Sequence, residues 1–481
     1  MKKFSLLAIG MFSLISIANA QTDEDALRYS MIGFGGTARY SGMGGAFGAI
    51  GADFSTLSEN PAGLGVYRKN EFTFTPSIFT GKTTATYNGS TSDDMKYNFN
   101  LGNIGLVYAK STNKAKDEPG WKYVNFAFGL NRYNNFNNRM VIQGTNTSSS
   151  LMDVYAANAH GSNPGSLDAF STLLAYNTNL LGTLDSVNYN SNVPLGSLLQ
   201  HKSVETHGSM QEMVLSLAAN YNNKLYIGGT LGISFLRYDE QSTYQEDNKD
   251  STNSFQSFTL NSDLNTSGTG YNFKFGLLYV PVDMDILKVK IGAAVHTPTF
   301  YTMHDEWSST MNSSFTSGDY SYESPKGSFD YELTTPMKAI GSLALQFGQY
   351  GTISADYEFV DYSDARLRSR SYDFLNENYV IQNKYTATHN LRFGAEVALG
   401  LFSLRGGYDI YGSPFKSGIN DGKVTSITGG FGIMDKNYFI DFAYVHSTSK
   451  ADYYLYNFSN MNPASTDKTT QSFLLTLGYK F

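Results

Sequence analysis

Along most of this chain apolar and polar residues alternate one for one, a rhythm that leaves room for little except a fold built of strands. In the last stretch Phe473, Leu475, Leu477, Tyr479 and Phe481 hold the odd positions, with Ser472, Thr476, Gly478 and Lys480 between them and Leu474 the one exception. Leu391, Phe393, Ala395, Val397 and Leu399 bracket Arg392, Gly394, Glu396 and Ala398, and Ile353, Ala355, Tyr357 and Phe359 bracket Ser354, Asp356 and Glu358. Phe402, Leu404, Tyr408 and Ile410 alternate with Ser403, Arg405, Gly407 and Asp409; Met213, Leu215, Leu217, Ala219 and Tyr221 alternate with Glu212, Ser216 and Asn220. Successive strand residues point to opposite faces, so each segment has one apolar and one polar side. The polar sides carry many small or charged residues, and the apolar sides often end in an aromatic. That pattern fits an outward lipid band with an aromatic girdle better than the inside of a soluble sandwich.

Fourteen such segments are expected, near 71–87, 94–109, 122–137, 207–222, 225–245, 253–280, 286–304, 327–347, 351–366, 381–399, 401–412, 422–434, 436–455 and 468–481. Several exceed the roughly 9–11 residues needed to cross a bilayer, so the walls should project beyond it. The joints alternate in length. Tight turns at 222–224, 281–285, 348–350, Gly400 and Asp435, with a longer link at 110–121, are separated by polar excursions at 88–93, 138–206, 246–252, 305–326, 367–380, 413–421 and 456–467. Short periplasmic turns and longer outer loops are the habit of outer-membrane barrels, and an even strand number leaves both chain ends periplasmic.

The first residues agree with that destination. Lys2 and Lys3, the apolar run from Phe4 to Ile17 and the small residues Ala18-Asn19-Ala20 form an export signal, so residues 1–20 stand apart from the fold. No later stretch reaches the roughly 20 apolar residues of a spanning helix. A mean hydropathy of −0.29 would suit a soluble protein, yet the chain has 35 Tyr and 33 Phe and only 16% charged residues. The absence of Cys removes disulfides, thiolate chemistry and Cys-based metal sites. A net charge of −7, with no basic cluster, argues against nucleic acid as a partner. His160, His201, His207, His296, His304, His389 and His446 have no companion spacing typical of a catalytic set, so no enzyme activity, cofactor or metal is expected.

Residues 21–68 do not read as strands. Gly33-Phe34-Gly35-Gly36 and Gly42-Met43-Gly44-Gly45-Ala46-Phe47-Gly48-Ala49-Ile50-Gly51 predict close backbone packing, and no preceding strand supports a nucleotide-binding loop. Asp53 can cap one or two helical turns that Pro61 ends at Asn60. The run Ala38-Arg39-Tyr40-Ser41-Gly42-Met43-Gly44-Gly45-Ala46-Phe47, followed by Asp53 and by Asn60-Pro61-Ala62-Gly63-Leu64, resembles the amino-terminal region of the FadL/TodX family. The detailed similarity covers residues 36–66; elsewhere it is one of architecture and of the terminal Phe481.

The resemblance implies an all-β transmembrane fold: a 14-stranded antiparallel outer-membrane β-barrel (69–481) plugged by a small N-terminal hatch (21–68). It implies a passive channel for hydrophobic or amphipathic small molecules such as long-chain fatty acids. Extracellular loops would capture the ligand, and a movable hatch and a lateral gap in the wall would release it. Hatch roles fall on Gly42, Gly44, Gly45, Asn60, Pro61 and Ala62. Phe481 would be read by the barrel-assembly machinery, and the barrel would stand as a monomer among outer-membrane lipids. A different class of role is a docking or shuttle component for secreted cargo, to which some members of this superfamily are turned.

Two further sets of residues are singled out. Asp356, Glu358, Arg392, Glu396, Arg405, Asp409 and Asp441 should face the lumen as a hydrogen-bonded ladder, with Arg392 or Arg405 the alternative partners of a ligand carboxylate. Within 138–206, Ser166 as N-cap and Asp168 in the first turn, followed by Leu167, Phe170, Leu173, Leu174, Leu180 and Leu181, predict an amphipathic loop helix that packs a lid or forms a capture groove. The facing assignment predicts that Phe393→Arg destabilises by roughly 2–4 kcal/mol and that Arg392→Leu is much milder.

Overall fold

A computed structural model describes residues 22–33, 35–112, 118–250, 252–458 and 461–481. The export signal at 1–20 lies outside the described residues, as does Phe34. Among the described residues fourteen antiparallel walls close into a barrel, the first pairing with the last from Glu71↔Lys480 to Thr86↔Ser465. They are β1 Glu71–Tyr87, β2 Ser90–Ser111, β3 Trp121–Asn135 continued by Asn138–Asn146, β4 Leu198–Tyr221, β5 Leu225–Asn248, β6 Phe255–Asp283 and β7 Leu287–His296 continued by Phe300–Phe315. Then follow β8 (Gly318–Glu323, Gly327–Thr334 and Lys338–Phe347), β9 Gly351–Asp361 continued by Arg366–Arg368, β10 Ala387–Leu399, β11 Phe402–Tyr411, β12 Val424–Met434, β13 Tyr438–Tyr453 and β14 Ala464–Lys480.

Alternation sets the facing. On β6 Tyr271, Phe273, Phe275, Leu277 and Tyr279 are exposed on the outside, while Asn272, Lys274, Gly276 and Leu278 are buried inside. On β10 Phe393 points out and Arg392 points in, only 2% exposed. Rings gather at the chain-end rim, where Trp121 meets Tyr221 at 5.3 Å and Tyr438 meets Tyr479 at 4.8 Å, the girdle expected at a membrane interface.

The walls differ greatly in length, 29 residues in β6 against 10 in β11. Several stretches read from sequence as loops are partly wall, as three of them show. Asn88 and Gly89, both with positive φ, make a two-residue turn in place of a longer excursion at 88–93. The ends of 138–206 pair with each other from Asn138↔Thr206 to Asn146↔Leu198, leaving 147–197 as the excursion. The stretch 305–326 continues β7 to Phe315 and returns as a hairpin. In these parts the outward face turns polar, with Arg139, Gln143, Glu306, Ser308 and Thr310, while apolar residues such as Ile142 and Met311 point inward, so the apolar-outward rhythm of the lower wall does not continue.

The excursion caps the mouth. Helices α1 Leu151–Ala159 and α2 Thr172–Asn177 bury Leu151, Met152, Leu174 and Ala175 against Tyr87, Ile142, Tyr244, Phe255, Phe258 and Met311 from the strand tops. The single helix expected after Ser166 does not form there. Ser166 ends a short 3-10 turn, and Asp168 accepts from Phe170 N and Ser171 Oγ, folding the chain into a turn that delays the helix to Thr172. Leu167 and Leu174 are buried in the cap, and Phe170 packs on Trp307 at 5.6 Å.

Candidate functional site

The N-terminal segment lies inside the ring of strands. It begins with a helix at Asp23–Ser30, capped by the Thr22 hydroxyl, and continues through a five-residue helix at Ala38–Gly42 and 3-10 turns at Phe54–Ser58 and Pro61–Val66. Asp53 caps the third element through Ser55 N at 2.9 Å, and Asn60 caps the fourth through Ala62 N at 3.1 Å. Gly44 and Gly45 take φ of +61° and +71°, where a Cβ would be strained.

Small polar side chains on the inner faces of the walls hold this segment from all sides. Thr476 of β14 accepts from Ala38 N at 2.7 Å, Thr428 of β12 donates to Gly42 O at 3.0 Å, and Ser354 of β9 donates to Ala46 O at 2.6 Å. Asp356 accepts from Gly48 N at 3.0 Å; Asn60 Nδ2 donates to Gly48 O at 2.6 Å and to Leu277 O of β6 at 3.0 Å. Asn125 and Asn131 of β3 donate to Leu64 O and Ser58 Oγ, both at 2.8 Å. A Cβ at Gly228, Gly276 or Gly292 would overlap Pro61 O, Asn60 Oδ1 or Gly48 O, so bare backbone on three neighbouring strands receives the Asn60-Pro61-Ala62 turn.

The lumen charges join the same system. Arg392 Nη2 lies 2.9 Å from Glu59 of the segment and 3.7 Å from Glu358. Arg39 grips Glu396 with two bonds of 2.8 and 2.9 Å, and Arg405 bridges Glu396 at 2.6 Å and Asp441 at 2.5 Å. Asp409 is fully buried beside them with neither oxygen hydrogen-bonded among the described residues. Arg392 and Arg405 are thus both engaged by the protein's own carboxylates. Asn125, Asn131 and Thr428 have no sequence signal beyond a small polar residue at an inward strand position, and Thr476 has only its place in the alternation of the last strand.

At its upper end the first helix meets a helix at Leu375–Lys384 in the β9–β10 loop, where Lys384 Nζ lies 2.8 Å and the Tyr385 hydroxyl 2.7 Å from Asp23 Oδ2. Burial alone would lower the Lys384 ammonium, but Asp23 and Glu24 outweigh it and hold it above its ordinary value. Burial raises the Asp25 carboxyl against the pull of its partner Arg28.

Between the first helix and the rest of the N-terminal segment lies a cavity of about 520 Å³. Met31, Ile32, Phe79, Phe136, Tyr238, Val445 and Leu474 supply apolar lining, and its charged lining consists of Arg28, Arg132 and Lys468. Arg28 pairs with Asp25. Arg132 donates to Leu101 O at 3.1 Å, and no carboxylate of the described residues pairs with Arg132 or Lys468.

The cavity reaches a flaw in the wall. β3 pairs with β4 on either side of a short break, but its ladder with β2 runs only between Asn103↔Asn131 and Ser111↔Tyr123. Beyond that level residues 90–101 of β2 pair with β1 alone. Upper β3 turns inward there: Thr83 of β1 donates to Asn138 Oδ1 at 3.2 Å, and a Cβ on Gly81 would sit 3.2 Å from the same atom. Asn100, Gly102, Arg132, Asn135 and Asn138 line both the cavity and this seam. A second break, at Pro298 and Pro336, is closed by a Thr335 N–Thr299 O bond of 3.1 Å.

In sequence, no protein-family profile and no curated protein matches this chain. Solved structures do match it. A FadL homologue of Pseudomonas aeruginosa has a TM-score of 0.56 at 12% identity, covering 94% of this chain and 100% of that one. The P. putida toluene transporter TodX scores 0.54 at 12% identity over 93% and 99% of the two chains, and the Ralstonia pickettii toluene transporter TbuX 0.53 at 16% over 94% and 100%. The fold is that of the FadL/TodX channels. The outer-membrane barrel expected from alternation and joint length is therefore present with its fourteen strands. At these identities the FadL/TodX likeness is one of fold, and what the site does rests on the residues of this chain.

Proposed function

We propose that this protein is a passive outer-membrane channel taking up anionic amphiphiles of the long-chain fatty acid kind. The observation that carries this reading is the cavity: apolar over most of its lining, with two cationic side chains, Arg132 and Lys468, that have no carboxylate partner among the described residues. An alkyl chain would lie against Met31, Ile32, Phe79 and Phe136 while its head group met those cations. Residues 21–68 act as the hatch, with Gly42, Gly44, Gly45, Asn60, Pro61 and Ala62 shaping the part seated on the wall glycines, and the ionic ladder of Arg392, Arg405, Glu396 and Asp356 anchors it. The apolar loop cap, with Leu167, Phe170 and Leu174, gathers ligand at the mouth. The seam between β2 and β3 is the lateral exit. Phe481, exposed and stacked on Tyr479 at 5.6 Å, serves as the assembly signal of a monomeric barrel.

The test is binding of radiolabelled oleate and of toluene to purified protein. Arg132→Gln/Lys468→Gln should weaken oleate about tenfold or more, since bonds to charged groups contribute about 1.5–3 kcal/mol, and should leave toluene unchanged. Equal loss for both, or no oleate binding by the unaltered protein, overturns the reading. Exposed Leu184, Leu195, Leu375 and Tyr379 on the outer loops favour a second one, docking of secreted cargo, which co-purification of cargo with the barrel would support.

A further inference from the structure

The seam is not merely unpaired; charged side chains cross it. Lys96 of β2 places Nζ 2.6 Å from Glu205 Oε1 and 2.7 Å from His207 Nε2, both on β4. Arg139 of upper β3 lies 3.3 Å from Asp94 of β2 and 3.5 Å from Glu205, and His207 is 3.1 Å from Glu205. Three strands are therefore tied together by five side chains at the level where the β2–β3 ladder is missing. We propose that Asp94, Lys96, Arg139, Glu205 and His207 form a charged latch that holds the seam shut, so that these side-chain pairs, and not backbone hydrogen bonds, set how readily the seam opens. The inference rests on the channel reading above.

Other ion pairs on the outer wall show why this cluster differs. Lys450 and Asp467 face each other across an intact ladder of β13 and β14, and Lys82 and Asp93 sit on the continuous β1–β2 ladder. Removing either pair leaves the wall closed by backbone hydrogen bonds. At the seam the side chains are the closure, helped by Asn135 Nδ2 to Asn98 Oδ1 at 3.1 Å and Ser92 Oγ to Val141 O at 2.6 Å.

The latch can also exchange its bonds. Glu205 is 33% and Arg139 47% exposed, so water and salt can replace their partners, as they cannot in a buried ladder. The two sides of the seam suit a transfer between phases. Asn100, Asn135 and Thr206, beside the latch residues, line the cavity. On the outside Tyr97 and Phe99 stand 65% and 75% exposed, an apolar lip directed at lipid. A seam that is weak in the middle, polar within and apolar outside is where an amphiphile can leave without opening a water-filled pore.

The chain has no cysteine, so introduced thiols are unique. Asn100→Cys puts a reporter on the cavity side of the seam, to be labelled in proteoliposomes by a membrane-dissolved maleimide. Lys96→Gln/Glu205→Gln in that background should speed labelling about fivefold, the change expected for losing pairs this exposed, while Lys96→Arg should keep the original rate. Unchanged labelling in the double variant, with the barrel folded by its heat-shift on gels, overturns the latch. Separately, Lys96→Cys/Glu205→Cys bridged by a reducible dithiol-reactive linker should take up no radiolabelled oleate until reduced; full uptake while bridged overturns it. If the unaltered barrel takes up no oleate, the channel reading falls, whereas the labelling rates still decide the latch.

Discussion

The lumen is closed twice, and by different means. Below, the N-terminal segment is held by directional bonds from the walls around it: ion pairs at Arg392–Glu59 and Arg39–Glu396, and hydrogen bonds from threonine, serine and asparagine. Above, the loop cap is chiefly a cluster of Leu, Met, Tyr and Phe, with one polar knot where buried Glu246 accepts from Ser150 Oγ at 2.6 Å and Leu151 N at 3.0 Å. Apolar packing tolerates small displacements, whereas ion pairs and hydrogen bonds demand one position. The N-terminal segment is therefore fixed in one seat by directional contacts, whereas the cap is held mainly by non-directional apolar burial.

Breaking the seat should have the largest effect. Gly276→Leu drives a side chain into Asn60 and Pro61, so conductance in planar bilayers should rise about tenfold or more as the plug is displaced, the wall itself remaining paired. Unchanged conductance would place the plug's seat elsewhere. Next is Arg392→Leu, which leaves Glu59 buried without its cation and Glu358 with only Lys338 at 3.6 Å, and should lower stability to urea by about 3–5 kcal/mol. The sequence alone suggested a mild effect, much smaller than that of Phe393→Arg; the carboxylates around Arg392 bring the two to similar size. On the other side of the comparison, Leu174→Ala should loosen the cap by about 2–4 kcal/mol. Limited proteolysis should then cut within 147–197 while the barrel resists, and simultaneous loss of the barrel would show the cap is not a separate unit. Smallest is Lys384→Ala, which severs a partly exposed tie to Asp23 and should change urea stability by less than about 1 kcal/mol.

Much of the wall was legible because lipid enforces contrast. Phe393 and Arg392 differ by one position and occupy opposite environments, so their facing follows from alternation alone. Where the outward face turns polar that rhythm ends, and Ser308 to Ser314 of β7 looked like loop. The loop helix was misplaced because Leu167 and Phe170 have helical spacing while Asp168 bonds locally against it. The plug's glycines and its Asn60-Pro61 turn were visible, but their partners were not: Asn60 bonds Leu277, whose closeness depends on which walls surround the segment. For the seam a signal existed. Asn131, Asn134, Asn135, Asn137 and Asn138 crowd one short stretch, and asparagine is a poor strand former.

The bare backbone at Gly228, Gly276 and Gly292 also decides what could be exchanged between such barrels. The shape of the plug is recorded on the wall as an absence of side chains. A foreign plug would need the same turn at the same height, and this plug moved to a barrel with alanines there would meet a fence. Grafting would therefore succeed only when both surfaces travel together, as with a key and its own lock.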